Sequence, residues 1–213
     1  MEITHYQDDR FFYFRKPHGV PSTFGKQKCF IDFLLESKDP KVKEITSYLQ
    51  NMFAKEEEYG LVNRLDNDTS GLLYFVKTPL FKQKYKDAQK KGEIQKHYVA
   101  EVYGKCTPES QKISNPIGHH KFSSDRMVAV KDTKQTNKTK GKLIYVDTFI
   151  EKLYYDETKN TTVLLVNISK GIRHQIRTHL SSIGYPIVGE QIYIKKKSSE
   201  KLQLFSLGLS RKY

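Results

Sequence analysis

Cysteine is scarce in this chain of 213 residues: Cys29 and Cys106 stand alone. They fit no metal spacing and no disulfide framework, and both are expected to be reduced thiols. No run approaches the roughly 18 apolar residues a membrane-spanning helix needs. Met1-Glu2-Ile3-Thr4-His5 has no basic region leading into an apolar one, so no secretory leader is expected. There is no Gly-x-Ser-x-Gly turn, no phosphate loop and no dinucleotide fingerprint. His119-His120, with His97 or His174, has no recognised ligand spacing, so no zinc site is expected. Arginine is also sparse, with 7 Arg against 30 Lys. Three of the seven, Arg64, Arg173 and Arg177, fall in the two stretches that look most like a site. Arginine is the residue suited to bidentate phosphate contacts and base stacking.

What is abundant is positive charge, +13 net at pH 7. That suggests a polyanionic partner, nucleic acid first, although a lysine-rich surface can also be no more than a solvated one. Hydrophobic content of 37% and charged content of 29% place the chain among globular proteins, with enough length for one well-filled domain.

The stretch Leu61 to Leu73 sets Asp66 between Arg64 and the polar cluster Asn67-Asp68-Thr69-Ser70-Gly71. That cluster reads as a turn, because Asx and Ser side chains bond nearby backbone and glycine tolerates positive φ. Leu72 to Val76 reads as a buried strand. On these residues alone two readings stand: a capped structural turn, or a carboxylate held at the lip of a strand for chemistry.

The rest of the chain predicts an interleaved order. Phe11–Phe14 is an aromatic strand candidate running into the turn Arg15-Lys16-Pro17-His18-Gly19-Val20-Pro21. Residues 30–58 read mostly as helix, broken at Asp39-Pro40. Thr78 and Pro79 open a helix to about Lys91, as N-cap and first helical residue. Lys96–Gly104 alternates as a strand with Tyr98, Ala100 and Val102 on one face. A short strand is expected near 126–130, and Lys131–Lys142 is expected to be a flexible basic loop. Lys142–Tyr155 and Thr161–Ser169 form a strand pair. Over Gly171–Gly184, Ile172, Ile176, Leu180 and Ile183 keep helical spacing, and Arg173 and Arg177 lie four apart on a neighbouring face. Leu204–Leu209 is a last strand candidate. Strands and helices without a steady βαβ rhythm indicate α+β. A carboxylate, arginines and tyrosines suit an unstacked base with its phosphate. The residues by themselves lead no further than a nucleic-acid-acting site.

Asn63-Arg64-Leu65-Asp66-Asn67-Asp68-Thr69-Ser70-Gly71-Leu72-Leu73 resembles the His-Arg-Leu-Asp-x-x-Thr-Ser-Gly-Leu-Leu signature of the RluA-type RNA pseudouridine synthases. Arg15 to Pro21 resembles that family's Lys-Pro-x-Gly turn, and Lys96 to Gly104 its Lys-x-Tyr-x-Ala-x-Val-x-Gly strand. Gly171–His179 with Gly184–Glu190 resembles its Arg-x-His-Gln-Ile-Arg-x-His…Gly-x-Pro-Ile-x-Gly-Asp segment. The four motifs are collinear across about residues 11–209.

The resemblance implies an RNA pseudouridine synthase that isomerises uridines in structured rRNA or tRNA, as a cytoplasmic monomer with no cofactor, metal or membrane. It implies an α+β fold with a curved, mixed, largely antiparallel sheet, flanking helices and a central cleft. It makes 1–213 a single catalytic domain without the small N-terminal S4-like RNA-binding domain of many relatives. Asp66 corresponds to the nucleophile, Tyr98 to the tyrosine that stacks on the flipped base and assists proton transfer, and Arg177 to the arginine pairing with the carboxylate. Arg64, Arg173 and Lys16 become RNA contacts, as do lysines of 131–142 and Lys195-Lys196-Lys197. The sequence departs from the family at Asn63 (usually His), at Ile172-Arg173 (usually Arg-Thr) and at Glu190 (usually Asp). A rival reading is a catalytically idle RNA-binding or RNA-chaperone protein on the same fold, against which the intact Asp66, Tyr98 and Arg177 set argues.

Overall fold

A computed structural model describes residues 3–25, 27–195 and 199–211. The chain divides into two compact units. The first takes the described residues up to Ile94 together with Phe205–Leu207; the second takes Gln95–Leu204 and the described residues from Gly208 on.

In the first unit, β1 (His5–Gln7) pairs with β2 (Phe11–Lys16). Next come α1 (Phe30–Leu35) and α2 (Pro40–Met52), separated where the Asp39-Pro40 break is expected. The Asp39 side chain accepts from Lys41 N–H and Val42 N–H, so it caps the helix that Pro40 opens. Strand β3 (Ser70–Val76) lies antiparallel to β2, with Lys16 opposite Gly71. α3 (Pro79–Lys90) follows with Thr78 as its cap, accepting from Phe81 N–H, and packs on β3. Phe14, Phe30, Leu34, Val42, Leu49, Leu73 and Phe75 are the buried core, with Phe14 and Phe75 meeting edge to face at 5.5 Å.

The second unit holds β4 (Ile94–Tyr103), β5 (Ser110–Ile113), β6 (Ile117–His120), β7 (Met127–Ala129), α4 (Thr133–Thr136), β8 (Thr139–Ile144), β9 (Thr148–Asp156), β10 (Thr161–Ile168) and α5 (Gln175–Ser182). Its antiparallel strands run in the order β4-β10-β9-β5, and a smaller sheet runs β7-β6-β8. Ile117, Met127, Ala129 and Val146, with Ile172 beside them, form the core under the small sheet. The last strand, β11 (Leu204–Arg211), contributes residues to both units. In the first it runs parallel to β3, which makes that sheet mixed. The α+β class and the largely antiparallel sheet are as expected.

Two expectations are corrected. Lys131–Lys142 is not a loop: Asp132 caps α4 by accepting from Gln135 N–H, and residues 139–144 pair with β6. The helix expected from Gly171 begins only at Gln175, because His174 adopts a left-handed conformation with φ 53°. Arg173 therefore lies outside the helix and shares no face with Arg177.

Candidate active-site residues

In the first unit, the Asp66 turn is held from both sides. On one side, Ser22 clamps Leu65: its hydroxyl donates to Leu65 O at 2.8 Å and accepts from Leu65 N–H at 3.0 Å. On the other, Asn67 O accepts from Gly19 N–H at 2.8 Å and from Lys16 Nζ at 2.9 Å. Thr69 N–H closes the turn onto Asp66 O at 3.1 Å. Asn63 bonds β3 in both directions, donating to Leu72 O at 3.0 Å and accepting from Tyr74 N–H at 2.8 Å. The amide that replaces the usual histidine is thus a backbone brace. Asp66 itself is half-buried.

Lys16 is the least expected member. Its side chain is 0% exposed, and Nζ also donates to Pro17 O at 3.0 Å and Val20 O at 2.7 Å. Three carbonyls meet the three N–H donors that only the ammonium form offers. Burial pushes its pKa down to about 8, while Asp68 and Asp66 pull it upward. At neutral pH it remains a cation behind the Asp66 turn. It is a positioning latch that staples the Arg15–Pro21 turn to Asn67, and not a surface RNA contact. Arg64 points elsewhere: it is exposed and donates to Glu58 Oε1 at 2.6 Å.

Gly71, at the end of the turn, has φ +117°, and a Cβ there would lie 2.4 Å from Ser206 N and Ser206 O. Only glycine lets β11 approach at this register.

In the second unit, Tyr98 lies on the buried face of β4 with Lys96, Ala100 and Val102, opposite Val166 of β10. This is the face the alternation predicts. Lys96 is also buried, and burial lowers its pKa.

Arg177 is 2% exposed, not a surface cation. Its Nε donates to Glu190 Oε2 at 2.8 Å and its Nη2 to Glu190 Oε1 at 2.6 Å, a bidentate pair in the interior. Glu190 Oε1 also accepts from Gln191 N–H and Ile192 N–H at 3.0 and 2.8 Å. Burial pushes the Glu190 carboxyl upward, but Arg177 and these N–H groups outweigh it and hold it below the usual range. The Arg177 guanidinium also lies over the Tyr193 ring, 5.9 Å from its centroid, and the Tyr193 hydroxyl is 2.9 Å from His174 Nδ1. The sequence motif contains Glu190 but does not show it as the partner of Arg177, and Tyr193 is not singled out there. Neither sits in a periodic element, so spacing carried no signal.

His179, on the next turn of α5, donates from Nε2 to Asn115 O at 2.8 Å, which leaves Nδ1 to accept from Thr148 Oγ1 at 2.8 Å. Burial holds it neutral by lowering its pKa. Gln175 adds bonds to Asp147 O and Thr148 Oγ1 at 3.0 and 3.1 Å, so α5 is fixed to the start of β9. Arg173 is exposed, donating to Ser124 O at 2.9 Å with Asp125 at 3.6 Å. Lys195 is exposed, while Lys196 and Lys197 lie outside the described residues. Among the described residues no group of three or more His, Cys, Asp or Glu side chains could hold a metal ion, and no helix is long and apolar enough to cross a membrane.

An uncharacterized RNA pseudouridine synthase of Chloroflexus aurantiacus is 36% identical over 139 residues, covering 65% of this chain and 40% of that protein. Ribosomal large subunit pseudouridine synthase C of Rickettsia bellii is 28% identical over 94% of this chain and 58% of its own length. The chain spans about half the length of the curated relatives it matches. Among solved structures, human RNA pseudouridylate synthase domain containing 1 superposes with a TM-score of 0.68 at 19% identity, over 98% of this chain and 78% of that one, which shows a shared fold. The RNA pseudouridylate synthase family model matches residues 10–182, and the chain belongs to that family.

Proposed function

We propose that this chain is an RNA pseudouridine synthase that isomerises uridine within structured RNA, acting as one catalytic domain. The observation that carries the reading is the Asp66 turn: a half-buried carboxylate whose two neighbours are fixed by Ser22 and Lys16, in a chain of this family. A nucleophile held in one geometry needs no reorganisation at the moment of attack.

The target uridine is flipped from its stack, and Tyr98 stacks on it. Asp66 breaks the N-glycosidic bond, by attack on C1′ or by assisting glycal formation. The freed uracil rotates and rejoins C1′ through C5, releasing the Asp66 carboxylate where it had bonded C1′, and the C5 proton is removed with help from Tyr98 while N1 takes up a proton. The family resemblance assigns Arg177 as the cation that serves the catalytic carboxylate. Glu190 occupies two of the five guanidinium donors and fixes the plane of the group. Arg64, exposed beside the turn, contacts a phosphate or fills the vacated stack. The reaction is an isomerisation and consumes no cofactor. The net charge of +13 supplies the attraction to RNA, and the named relative favours large-subunit rRNA over tRNA. The protein works in the cytoplasm as a monomer.

The test is pseudouridine mapping of total RNA incubated with wild-type protein and with Asp66→Asn, with RNA binding followed in parallel. Wild type introduces pseudouridine and the variant binds RNA without modifying it. Equal modification by both proteins refutes the nucleophile assignment. Binding by both with modification by neither establishes the idle RNA-binding reading instead.

A further inference from the structure

The hairpin that joins β6 to β7 carries a side chain that the catalytic reading leaves unused. Phe122 is 82% exposed, although an apolar core lies under the same small sheet. A phenyl ring held out in water gives up the burial that would otherwise stabilise it. Its immediate surroundings are specific. Lys121 Nζ lies 5.5 Å from its centroid, over one face of the ring, and the His120 ring meets it edge to face at 6.3 Å. Lys121, Arg126, Lys138 and Lys140 are all exposed, with Lys121 N–H bonded to Lys138 O and His119 opposite Lys140. Ser123, Ser124 and Asp125 follow the ring, so the tip offers one aromatic among polar groups and no apolar patch of the kind a protein or membrane partner would cover.

The tip is also rigidly mounted. His120 N–H bonds Arg126 O at 3.0 Å, and Phe122 N–H bonds His120 Nδ1 at 3.1 Å. Arg173 grips Ser124 O and Asp125 from below. At the far strand, Met127 N–H donates to the Tyr193 hydroxyl at 2.9 Å, and Arg126 lies 5.9 Å from the Tyr193 centroid. The same Tyr193 ring carries Arg177 over it. The hairpin is therefore fastened to the residues that orient Arg177, and an aromatic presented this way binds without an ordering cost of its own.

We propose that this hairpin is a base-stacking finger, in which Phe122 takes an unpaired base of the RNA and Lys121, Arg126, Lys138 and Lys140 hold the adjoining phosphates. The proposal rests on RNA being the substrate. It assigns Arg173 a positioning role, bracing the finger, in place of direct phosphate binding. Base–aromatic stacking is tolerant of sequence and salt-dependent cations surround it, so the finger contributes affinity more than base choice.

The probe is a single-stranded RNA oligonucleotide carrying 2-aminopurine, titrated with the Asp66→Asn protein and with the same protein further altered at Phe122. Stacking quenches the fluorophore in the parent. Phe122→Ala loses the quench and weakens binding about 5- to 100-fold, while Phe122→Trp keeps both. The melting temperature stays at the parent value, because the ring packs on little. Lys121→Ala lowers the slope of log K against log salt by about one phosphate's worth. Phe122→Ala binding within twofold of the parent overturns the proposal, as does Phe122→Leu binding as tightly as Phe122→Trp. Phe122-dependent binding to anionic phospholipid vesicles with RNA affinity unchanged overturns it in favour of a membrane contact. If wild type modifies RNA while Phe122 is indifferent, only the finger fails; if wild type neither binds nor modifies RNA, the functional reading fails with it.

Discussion

Replacing Lys16 with methionine keeps the stem and removes only the ammonium, so it isolates what the latch contributes. Three hydrogen bonds disappear, to Pro17 O, Val20 O and Asn67 O. Bonds from a charged donor contribute about 1.5–3 kcal/mol each, or roughly 5–9 kcal/mol together. Against this stands the cost of burying the charge. The fall in pKa from 10.5 to about 8 corresponds to about 3 kcal/mol at neutral pH. The balance predicts that Lys16→Met lowers unfolding free energy by about 2–6 kcal/mol, a large part of the roughly 5–15 kcal/mol of a typical domain. Urea unfolding at pH 7 measures it. Activity is then compared per folded molecule. Because Asn67 O adjoins Asp66, a loosened turn costs about 100-fold in turnover beyond any loss of folded protein, as a shift of about 1 Å does at a reacting centre. A variant within 1 kcal/mol of wild type and fully active would show that the carbonyl cage does not hold the turn.

Two further substitutions probe the structure elsewhere. Gly71→Ala places a Cβ 2.4 Å from Ser206 N and O at φ +117°, and should cost more than about 4 kcal/mol in urea unfolding; Gly104→Ala, also at positive φ but with no atom within 4 Å, serves as control at about 1–2 kcal/mol. Similar losses at both positions would refute the close-approach argument. Glu190→Gln breaks a buried ion pair and should cost about 3–5 kcal/mol at pH 7. Its folded-state pKa lies below the ordinary 4.5, so the native state binds fewer protons than the unfolded one in that range. The stabilisation is complete above 4.5 and is lost as pH falls through the folded value. The gap in unfolding free energy between wild type and Glu190→Gln should therefore narrow as pH falls below 4.5, and parallel curves through that fall would count against the pair.

Much of the fold was legible because local chemistry and tertiary structure agree. Thr78 and Pro79 open α3 where the cap pattern puts them, and β4 buries Tyr98, Ala100 and Val102 as its alternation requires. The failures have identifiable causes. Helical spacing begins at Ile172, but His174 is held left-handed while bonded to Tyr193, 19 residues away, and periodicity carries no trace of such a contact. Helical spacing puts Arg177 on a face beside the core stripe but does not show that it is buried against Glu190, 13 residues further on. The first four residues of β8, Thr139–Lys142, are polar on both faces, so they lack the apolar alternation that reveals strands and resemble a basic loop. Of the candidate site, the sequence motifs located Asp66, but not the latch behind it: a lysine beside a proline–glycine turn gives no sign that it is fully enclosed.

Strand β3 takes its parallel neighbour from far downstream: Ser206 Oγ donates to Leu72 O across 134 residues of chain. At about 5–20 residues per second, a ribosome finishes the Asp66 turn on the order of ten seconds before β11 is made. During that interval the Ser70–Gly71 end of β3, the part that β11 pairs, lacks that partner and is open to mispairing with other nascent chains, while Tyr74 and Val76 are already bonded to Val62 and Gly60. A fragment ending near Ile94 would keep that open edge permanently. The turn bearing Asp66 is thus synthesised early and locked late.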